Sequence, residues 1–274
     1  MTEVFFVGAP KCGTSTLYDV LSNSGYVRCQ VPKETHFFSY PEVKNTYYKV
    51  PFITSYSDYE KAFVGNGISA DFSPSYLRYH KFAIPRIKKK YKNAKIVAVL
   101  REPVARAVSH YLMDVSLGYQ SESIENALND DLYYAEYIEN SIYFEALCEF
   151  ERSFKEVHFV TYEELFSSPD AFHALCRFLE IPSLRFELLS QQASNRFRKP
   201  RSATVIHFLR NMNALAYGKK ITPPCIYERV KSLAYSRGKK PKIAVESLDK
   251  YFEKDIEILK KDYPHLGIDR WWRD

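Results

Sequence analysis

The sequence predicts an α/β fold of three layers, with a small central parallel sheet flanked by helices. Two observations predict it. Apolar runs of strand length are each followed by a turn and then by a stretch with helical spacing, and this unit recurs along the chain. Strands that alternate with helices imply a parallel sheet. No repeat, low-complexity tract or Gly/Ser linker interrupts the 274 residues, so one domain spanning 1–274 is expected.

The first unit places a strand at Val4–Val7, bounded by Gly8 and Pro10, ahead of a helix from Gly13 to Leu21 with Leu17, Val20 and Leu21 at helical spacing. The second begins with the buried-strand pattern Lys95–Leu100. Arg101-Glu102-Pro103 then opens a helix through Met113, with Pro103 suited to its first turn. A long helical stretch from Tyr134 to Phe154 precedes the third strand, Val157–Thr161, after which Ser168-Pro169 opens a helix to Leu179. From about residue 184 to 242 the pattern loosens, interrupted by Pro200, Pro223, Pro224 and Pro241, and basic residues concentrate; this portion is expected to be irregular and to face a ligand. A final helix, about Val245 to Asp262, carries Leu248, Phe252, Ile256 and Leu259 on one face, ends before Pro264 and is expected to pack on the sheet.

Composition narrows the function. With 46% hydrophobic and 26% charged residues and 9 glycines, the chain is globular rather than disordered or collagen-like. A formal charge of +6 favours anionic ligands without demanding nucleic acid. The five cysteines, Cys12, Cys29, Cys148, Cys176 and Cys225, form no CxxC pair, which argues against a zinc site or a disulfide framework and for reduced thiols. The N-terminal apolar run is too short for a signal peptide or a membrane span of roughly 20 residues, so a cytoplasmic protein is expected. Basic runs at Arg86–Lys92 and Lys231–Lys242 read first as solvated faces, and second as contacts for an acidic glycan or for anionic lipid headgroups at a membrane surface.

The chemistry concentrates in Gly8-Ala-Pro-Lys-Cys-Gly13-Thr14-Ser15, a P-loop-like turn between the first strand and the first helix. In that context backbone N–H groups and the helix dipole can cradle phosphate oxygens. Thr14 stands where a nucleoside triphosphatase needs its lysine, while a lysine occurs earlier, at Lys11; the loop is poorly equipped for triphosphates but suited to another anhydride. Arg101 at the end of a strand and Ser109 two helical turns on can point at one further anion.

These residues resemble a known family. Pro10-Lys11-Cys12-Gly13-Thr14-Ser15-Thr16-Leu17 is similar to the 5′-phosphosulfate loop of the PAPS-dependent sulfotransferases, whose donor is 3′-phosphoadenosine 5′-phosphosulfate (PAPS) and whose product is PAP. Leu100 to Tyr111 resembles their 3′-phosphate motif, and the resemblance gives Arg101 and Ser109 the 3′-phosphate. Lys33-Glu34-Thr35-His36-Phe37-Phe38 is similar to the segment that carries the catalytic glutamate in heparan sulfate and related carbohydrate sulfotransferases, so Glu34 inherits that role. Asp71–Leu77 resembles the SP-x-Y segment of bacterial members, Val160–Leu165 a segment near the adenine that brings Tyr162 to the nucleotide, and Trp271 their near-terminal tryptophan. Phe197-Arg198-Lys199-Pro200-Arg201 resembles the basic segment that closes over the nucleotide, although Pro200 stands where several relatives have glycine. A second departure is Phe72, where heparan sulfate 3-O-sulfotransferases carry a catalytic lysine.

The resemblance implies sulfuryl transfer from PAPS to a hydroxyl, most simply of a polysaccharide, oligosaccharide or glycolipid, with no metal required. Glu34 is then the general base, Lys11 the cation on the bridging oxygen, and Gly13 to Thr16 the phosphate cradle. His36 is the rival base, since in an extended stretch residues two apart share a face. Tyr40, Tyr47, Tyr48 and Tyr76 are candidates for the acceptor cleft. Two other functions compete: a P-loop kinase or NTPase, and a non-catalytic nucleotide- or glycan-binding protein.

Overall fold

The structure is a computed structural model that describes residues 2–44, 46–48, 52–192, 199–200, 235–236, 243 and 246–271. Strand β1 (Thr2–Gly8) leads through α1 (Thr14–Ser22) to β2 (Val27–Gln30). Then come α2 (Tyr56–Lys61), β3 (Phe63–Val64), β4 (Ile68–Phe72), α3 (Ser75–Arg78), α4 (His80–Lys90) and β5 (Lys95–Leu100). After β5 follow α5 (Pro103–Leu117), α6 (Ile124–Ala127), α7 (Asp131–Tyr137), α8 (Phe144–Ser153), β6 (Glu156–Thr161), α9 (Tyr162–Leu165), α10 (Pro169–Phe178) and α11 (Phe186–Gln192). A short antiparallel pair, β7 (Lys199–Pro200) and β8 (Tyr235–Ser236), and helices α12 (Glu246–Asp249) and α13 (Glu253–Asp262) complete the described elements.

The main sheet runs β3-β2-β4-β1-β5-β6, all parallel except the edge strand β3. The mixed α/β class agrees with the alternation in the sequence, and all three expected strands are present. The sheet is larger than expected, because β2 (VRCQ) and β4 (ISADF) mix polar with apolar residues and so hide from a search for apolar runs. The acceptors of two buried polar side chains are paired: the Gln30 side-chain oxygen accepts from the Phe72 amide at 3.0 Å, and Asp71 accepts from the hydroxyls of Tyr59, Tyr76 and Ser73 at 2.8, 2.9 and 2.6 Å. Phe5, Phe6, Val7 and Val97 to Leu100 form the centre of the core.

Two helical expectations need correction. The stretch Tyr134–Phe154 is not one helix: α7 stops at Tyr137, a 3₁₀ turn spans Glu139–Ser141, and α8 starts at Phe144. The break has its own fittings. Buried Arg106 donates to the carbonyls of Glu136 and Tyr137, each at 2.7 Å, which satisfies acceptors a helix end leaves open. Asp255 accepts from the Tyr143 and Phe144 amides at 2.9 and 3.1 Å and so starts the next helix. The final helix is likewise split at 250–252, and its expected start, Val245, lies outside the described residues. Leu248, Phe252 and Ile256 pack not on the sheet but in a second cluster with Val104, Ala107, Ile124 and Tyr137; Leu259 alone of the four joins the sheet core.

Candidate active site

The C-terminal ends of the five parallel strands share one edge of the sheet, which is why distant segments meet there. Gly8 pairs with Ala98, Leu100 with Thr161, and Phe6 with Phe72, so the loop after β1 emerges beside Arg101, Tyr162 and Ser73–Ser75. From β1 the chain crosses toward β2, and from β5 toward β6, and such a reversal opens a crevice at the strand ends. A cleft of about 430 Å³ lies there, lined by Lys11, Gly13 to Thr16, Glu34, His36, Arg101, Ser109 and Tyr162 among others.

Local backbone chemistry shapes the glycine loop. Gly13 has φ 78° and caps α1, and no side chain caps that helix among the described residues, leaving first-turn N–H groups for a ligand. A Cβ on Gly13 would sit 2.5 Å from the Phe166 ring, so glycine is required for space as well as for conformation. Lys11 (φ 70°) reaches Met113 Sδ at 3.1 Å, a weak acceptor that an anionic oxygen would displace. Burial pulls the Lys11 ammonium below its ordinary value, while the nearby Asp114 charge pushes it back up. Cys12 departs from the expected set: its side chain is fully buried and burial pushes its thiol up to about 12, so only its backbone is suited to a ligand.

Arg101 is tied to this loop. Its Nη1 donates to the Lys11 carbonyl at 3.2 Å, its own carbonyl accepts from the Tyr143 hydroxyl at 2.9 Å, and its guanidinium lies 4.7 Å from the centre of the Tyr162 ring. Its Nε is buried without a hydrogen-bond partner among the described residues, an unmet donor beside the cleft. Glu102 caps α5 through the Val104 and Ala105 amides, 2.9 and 2.6 Å away. Tyr162 and Phe166 face each other at 4.6 Å and form an aromatic wall. Glu163, next in the chain, accepts from the Trp271 indole at 3.4 Å and anchors the C-terminal turn there.

Segment 33–36 bridges the loop and α3. Lys33 Nζ donates to Thr14 Oγ1, Ser15 Oγ and Glu34 Oε1 at 3.3, 3.1 and 2.8 Å, while His36 Nδ1 lies 2.7 Å from Ser75 Oγ. Glu34, its side chain 37% exposed, is held between them, and its Oε2 is 3.7 Å from His36 Nε2. The two candidate bases are therefore neighbours, though not through an extended strand: His36 has φ 53° and opens the 3₁₀ turn Phe37–Ser39. Burial lowers the pKa of His36, with Glu34 opposing the shift. Behind the segment, the His36 amide donates to Ser73 Oγ at 3.3 Å, and Ser73 donates in turn to Asp71.

Of the other wall of the cleft, sequence reasoning found only Tyr48. That wall is formed by Val43, Thr46, Tyr48, Ser75, Arg78, Tyr79, His110, Glu136 and Asn140. Behind it lies Asp114, which accepts from Tyr47, Tyr48 and from Tyr137 (2.8 Å); burial raises its carboxyl to about 6. His110, driven well down by burial and by Arg106, meets the Tyr48 hydroxyl at 2.7 Å. One signal was present: Arg106, His110 and Asp114 follow each other at four-residue intervals, a polar stripe along one face of α5. Of the four tyrosines expected in the acceptor cleft only Tyr48 lines it; Tyr47 lies behind on Asp114, Tyr76 is buried on Asp71, and Tyr40 is not among the lining residues.

Phe72, the second departure noted in the sequence, stacks on Phe6 with ring centres 4.0 Å apart and is fully buried. In the basic run on α4, Arg86 is no solvated charge, since it binds Glu42 at 2.6 and 2.9 Å; Lys88, Lys89 and Lys90 are exposed. Arg198, Arg201, Cys225 and the basic residues Lys231, Arg237, Lys239, Lys240 and Lys242 lie outside the described residues, and Lys199 is described only as backbone in β7. Among the described residues no cluster of three metal-ligating side chains occurs, and no helix is long and apolar enough to cross a membrane.

The fold and cleft define a P-loop-like α/β protein in which a glycine loop with open helix amides and the neighbouring Glu34 and His36 meet at one sheet edge. The family model for the sulfotransferase domain matches residues 1–222, and the chain belongs to that family. Sulfuryl transfer is thus its class of reaction, which sets aside the kinase or NTPase reading. No curated protein matches the chain. Among solved structures, a sulfotransferase from Alicyclobacillus acidocaldarius is similar at TM-score 0.69 with 22% identity, covering 100% of this chain and 99% of that one. The sulfotransferase domain from the curacin biosynthetic pathway follows at 0.49 and 14%, covering 92% and 97%. Mouse sulfotransferase SULT7A1 complexed with PAP scores 0.47 at 18%, covering 70% and 63%. The likeness in fold rests on the first of these.

Proposed function

We propose that the chain moves a sulfuryl group from PAPS to a hydroxyl of a carbohydrate acceptor, a glycan or glycolipid, and releases PAP. One observation carries the reading: the glycine loop and the Arg101–Ser109 pair, about ninety residues apart in sequence, line one cleft with Glu34 and are joined by the Arg101–Lys11 hydrogen bond. The residues suit the donor. The open amides at α1 and the Thr14 to Thr16 hydroxyls fit its 5′ end, Arg101 with its unmet Nε and Ser109 fit a 3′-phosphate, and Tyr162 with Phe166 fits a purine. The basic segment Arg198, Lys199 and Arg201 is proposed to close over the nucleotide, as a part of one domain covering 1–274.

When bound, PAPS supplies a sulfuryl group on a phosphosulfate anhydride. Glu34 accepts the proton of the acceptor hydroxyl as its oxygen bonds to sulfur. Lys11 neutralises charge on the bridging oxygen, and the loop amides hold the phosphate that leaves. Lys33 orients the Glu34 carboxylate toward the loop hydroxyls. His36 is assigned to positioning through Ser75 rather than to proton removal. Its lowered pKa makes a specific forecast: were it the base, turnover would fall through a step below pH 6.5 as the imidazole takes up a proton, and a profile without that step would disfavour it. Cysteines Cys12, Cys29, Cys148 and Cys176, all free, suit action in the cytoplasm. The test is incubation with labelled PAPS and an extract of glycans and lipids, with mass spectrometry for added sulfate. Sulfated sugar is expected, and a thermal shift with PAP but no sulfated product from any acceptor would favour a binding protein instead.

A further inference from the structure

We propose that the wall of the cleft formed by Tyr48, Ser75, Arg78, His110, Glu136 and Asn140 is an acceptor subsite for an uncharged sugar ring with neighbouring free hydroxyls, and that it rejects uronic-acid rings through Glu136. The inference rests on transfer to a carbohydrate, as read above, and adds which kind of carbohydrate the site takes.

The wall adjoins the base. His36 contacts both Glu34 and Ser75, and Arg78 lies one helical turn along α3 from Ser75. At its centre is the Glu136 carboxylate, 13% exposed and aimed at the cleft. Its Oε1 accepts from Thr46 Oγ1 at 3.3 Å and faces Arg78 Nη1 at 3.5 Å; its Oε2 accepts from Asn140 at 2.9 Å. A carboxylate has about four lone-pair sites, so one remains, and the 3.5 Å contact is loose enough to yield a second. Two acceptor sites on one planar group match the paired O–H donors of adjacent ring hydroxyls. The flanking Asn140 side-chain oxygen and Ser75 hydroxyl oxygen can accept from further ring hydroxyls, and the Tyr79 ring lining the same wall offers an apolar face.

Charge sets the class of ring. Arg78 is the sole lysine or arginine lining this wall among the described residues, and it is shared between two carboxylates, Glu136 at 3.5 Å and Glu139 at 2.9 Å. Lys11 and Arg101 belong to the donor loop, and His110 is held neutral in its buried position between Arg106 and Tyr48. No cation here is left for an acidic ring, whose carboxylate would instead approach Glu136 in a partly dry cleft, where like charges repel strongly.

The test compares p-nitrophenyl glucoside with p-nitrophenyl glucuronide, which differ in the group at C6, using PAPS and the full chain. The wild type is expected to favour the glucoside at least tenfold in kcat/KM. Glu136→Gln should cut that preference to about threefold or less, mainly through a lower KM for the glucuronide, and Arg78→Met should widen it. Opposite signs from the two variants cannot arise from a common loss of folding, and melting curves check each. Equal or better use of the glucuronide by the wild type, or an unchanged ratio in Glu136→Gln, overturns the proposal. Calorimetry with PAP separates it from the reading beneath it. If PAP binds and sulfate reaches other sugars of a glycan extract but neither glycoside, the subsite falls alone; if PAP binds but no sugar is sulfated, the transfer reading beneath it falls, and if PAP does not bind, the donor reading falls first.

Discussion

At the proposed donor end of the cleft the lining residues come from short contiguous stretches, 10–16 and 101–109, with open backbone amides at the start of α1. At the proposed acceptor end they come from residues 43, 46 and 48, from α3, α5 and α7, and from the 3₁₀ turn Glu139–Ser141, and key polar side chains are braced by others: Tyr48 by Asp114, Glu136 by Arg78 and Asn140. Backbone amides recognise a phosphate whatever the neighbouring side chains, so that end tolerates change except where space or conformation demands glycine. The acceptor end has no such floor, because each buried polar group there depends on a named partner. The comparison teaches that the two ends should fail differently: one by losing nucleotide, the other by losing stability or acceptor choice.

Glu34→Gln breaks the comparison hardest, since the segment bearing it joins the ends. Turnover should fall roughly a thousandfold, the scale of a lost general base, while PAP affinity holds within a factor of about two; near wild-type turnover refutes the assignment. Arg106→Met should cost about 3 kcal/mol in chemical denaturation, because the Glu136 and Tyr137 carbonyls and the Ser141 hydroxyl lose their buried donor. An unchanged denaturation midpoint would show that the acceptor wall stands without it.

Asp114 sharpens the comparison through pH. Its folded carboxyl, raised to about 6 by burial, binds a proton more readily than the unfolded group near 3.8. Between those values the native state holds more protons, so stability should decline as pH climbs from about 4 to about 6, by roughly 2–3 kcal/mol, and then level off. Asp114→Asn should flatten that decline in melting curves taken across the window, and a slope that survives the substitution would exclude Asp114 as its source. The smallest of these effects falls at the donor end. Gly13→Ala should cost about 1–2 kcal/mol, through its left-handed backbone and the Phe166 contact, and weaken PAP in proportion; wild-type PAP affinity in this variant would mean that the loop is not the cradle.

The same contrast explains what could be read from the sequence. Strands β1 and β5 show as apolar runs because both their faces are covered, the edge strand β6 shows through Val157, Phe159 and Val160, and the loop and Arg101 directly follow β1 and β5. Strands β2 and β4 do not show, because Gln30 and Asp71 are buried by pairing with Phe72, Tyr59, Tyr76 and Ser73, partners that no local pattern announces. Glu34 and His36 were legible as neighbours, but the left-handed turn at His36 that sets their contact was not. The acceptor wall was the least legible part: Arg78, Glu136 and Tyr48 meet only through tertiary packing, and the Arg106, His110 and Asp114 stripe was its one periodic trace.

The central claim is that the glycine loop and the Arg101–Ser109 pair hold opposite ends of one nucleotide. Calorimetric titration of wild type and Ser109→Ala with PAP and with 5′-AMP, which lacks the 3′-phosphate, tests it directly. The account predicts that the substitution weakens PAP roughly tenfold, about 1.4 kcal/mol, and leaves 5′-AMP unchanged. Equal weakening of both ligands, or no heat with PAP in the wild type, would contradict it.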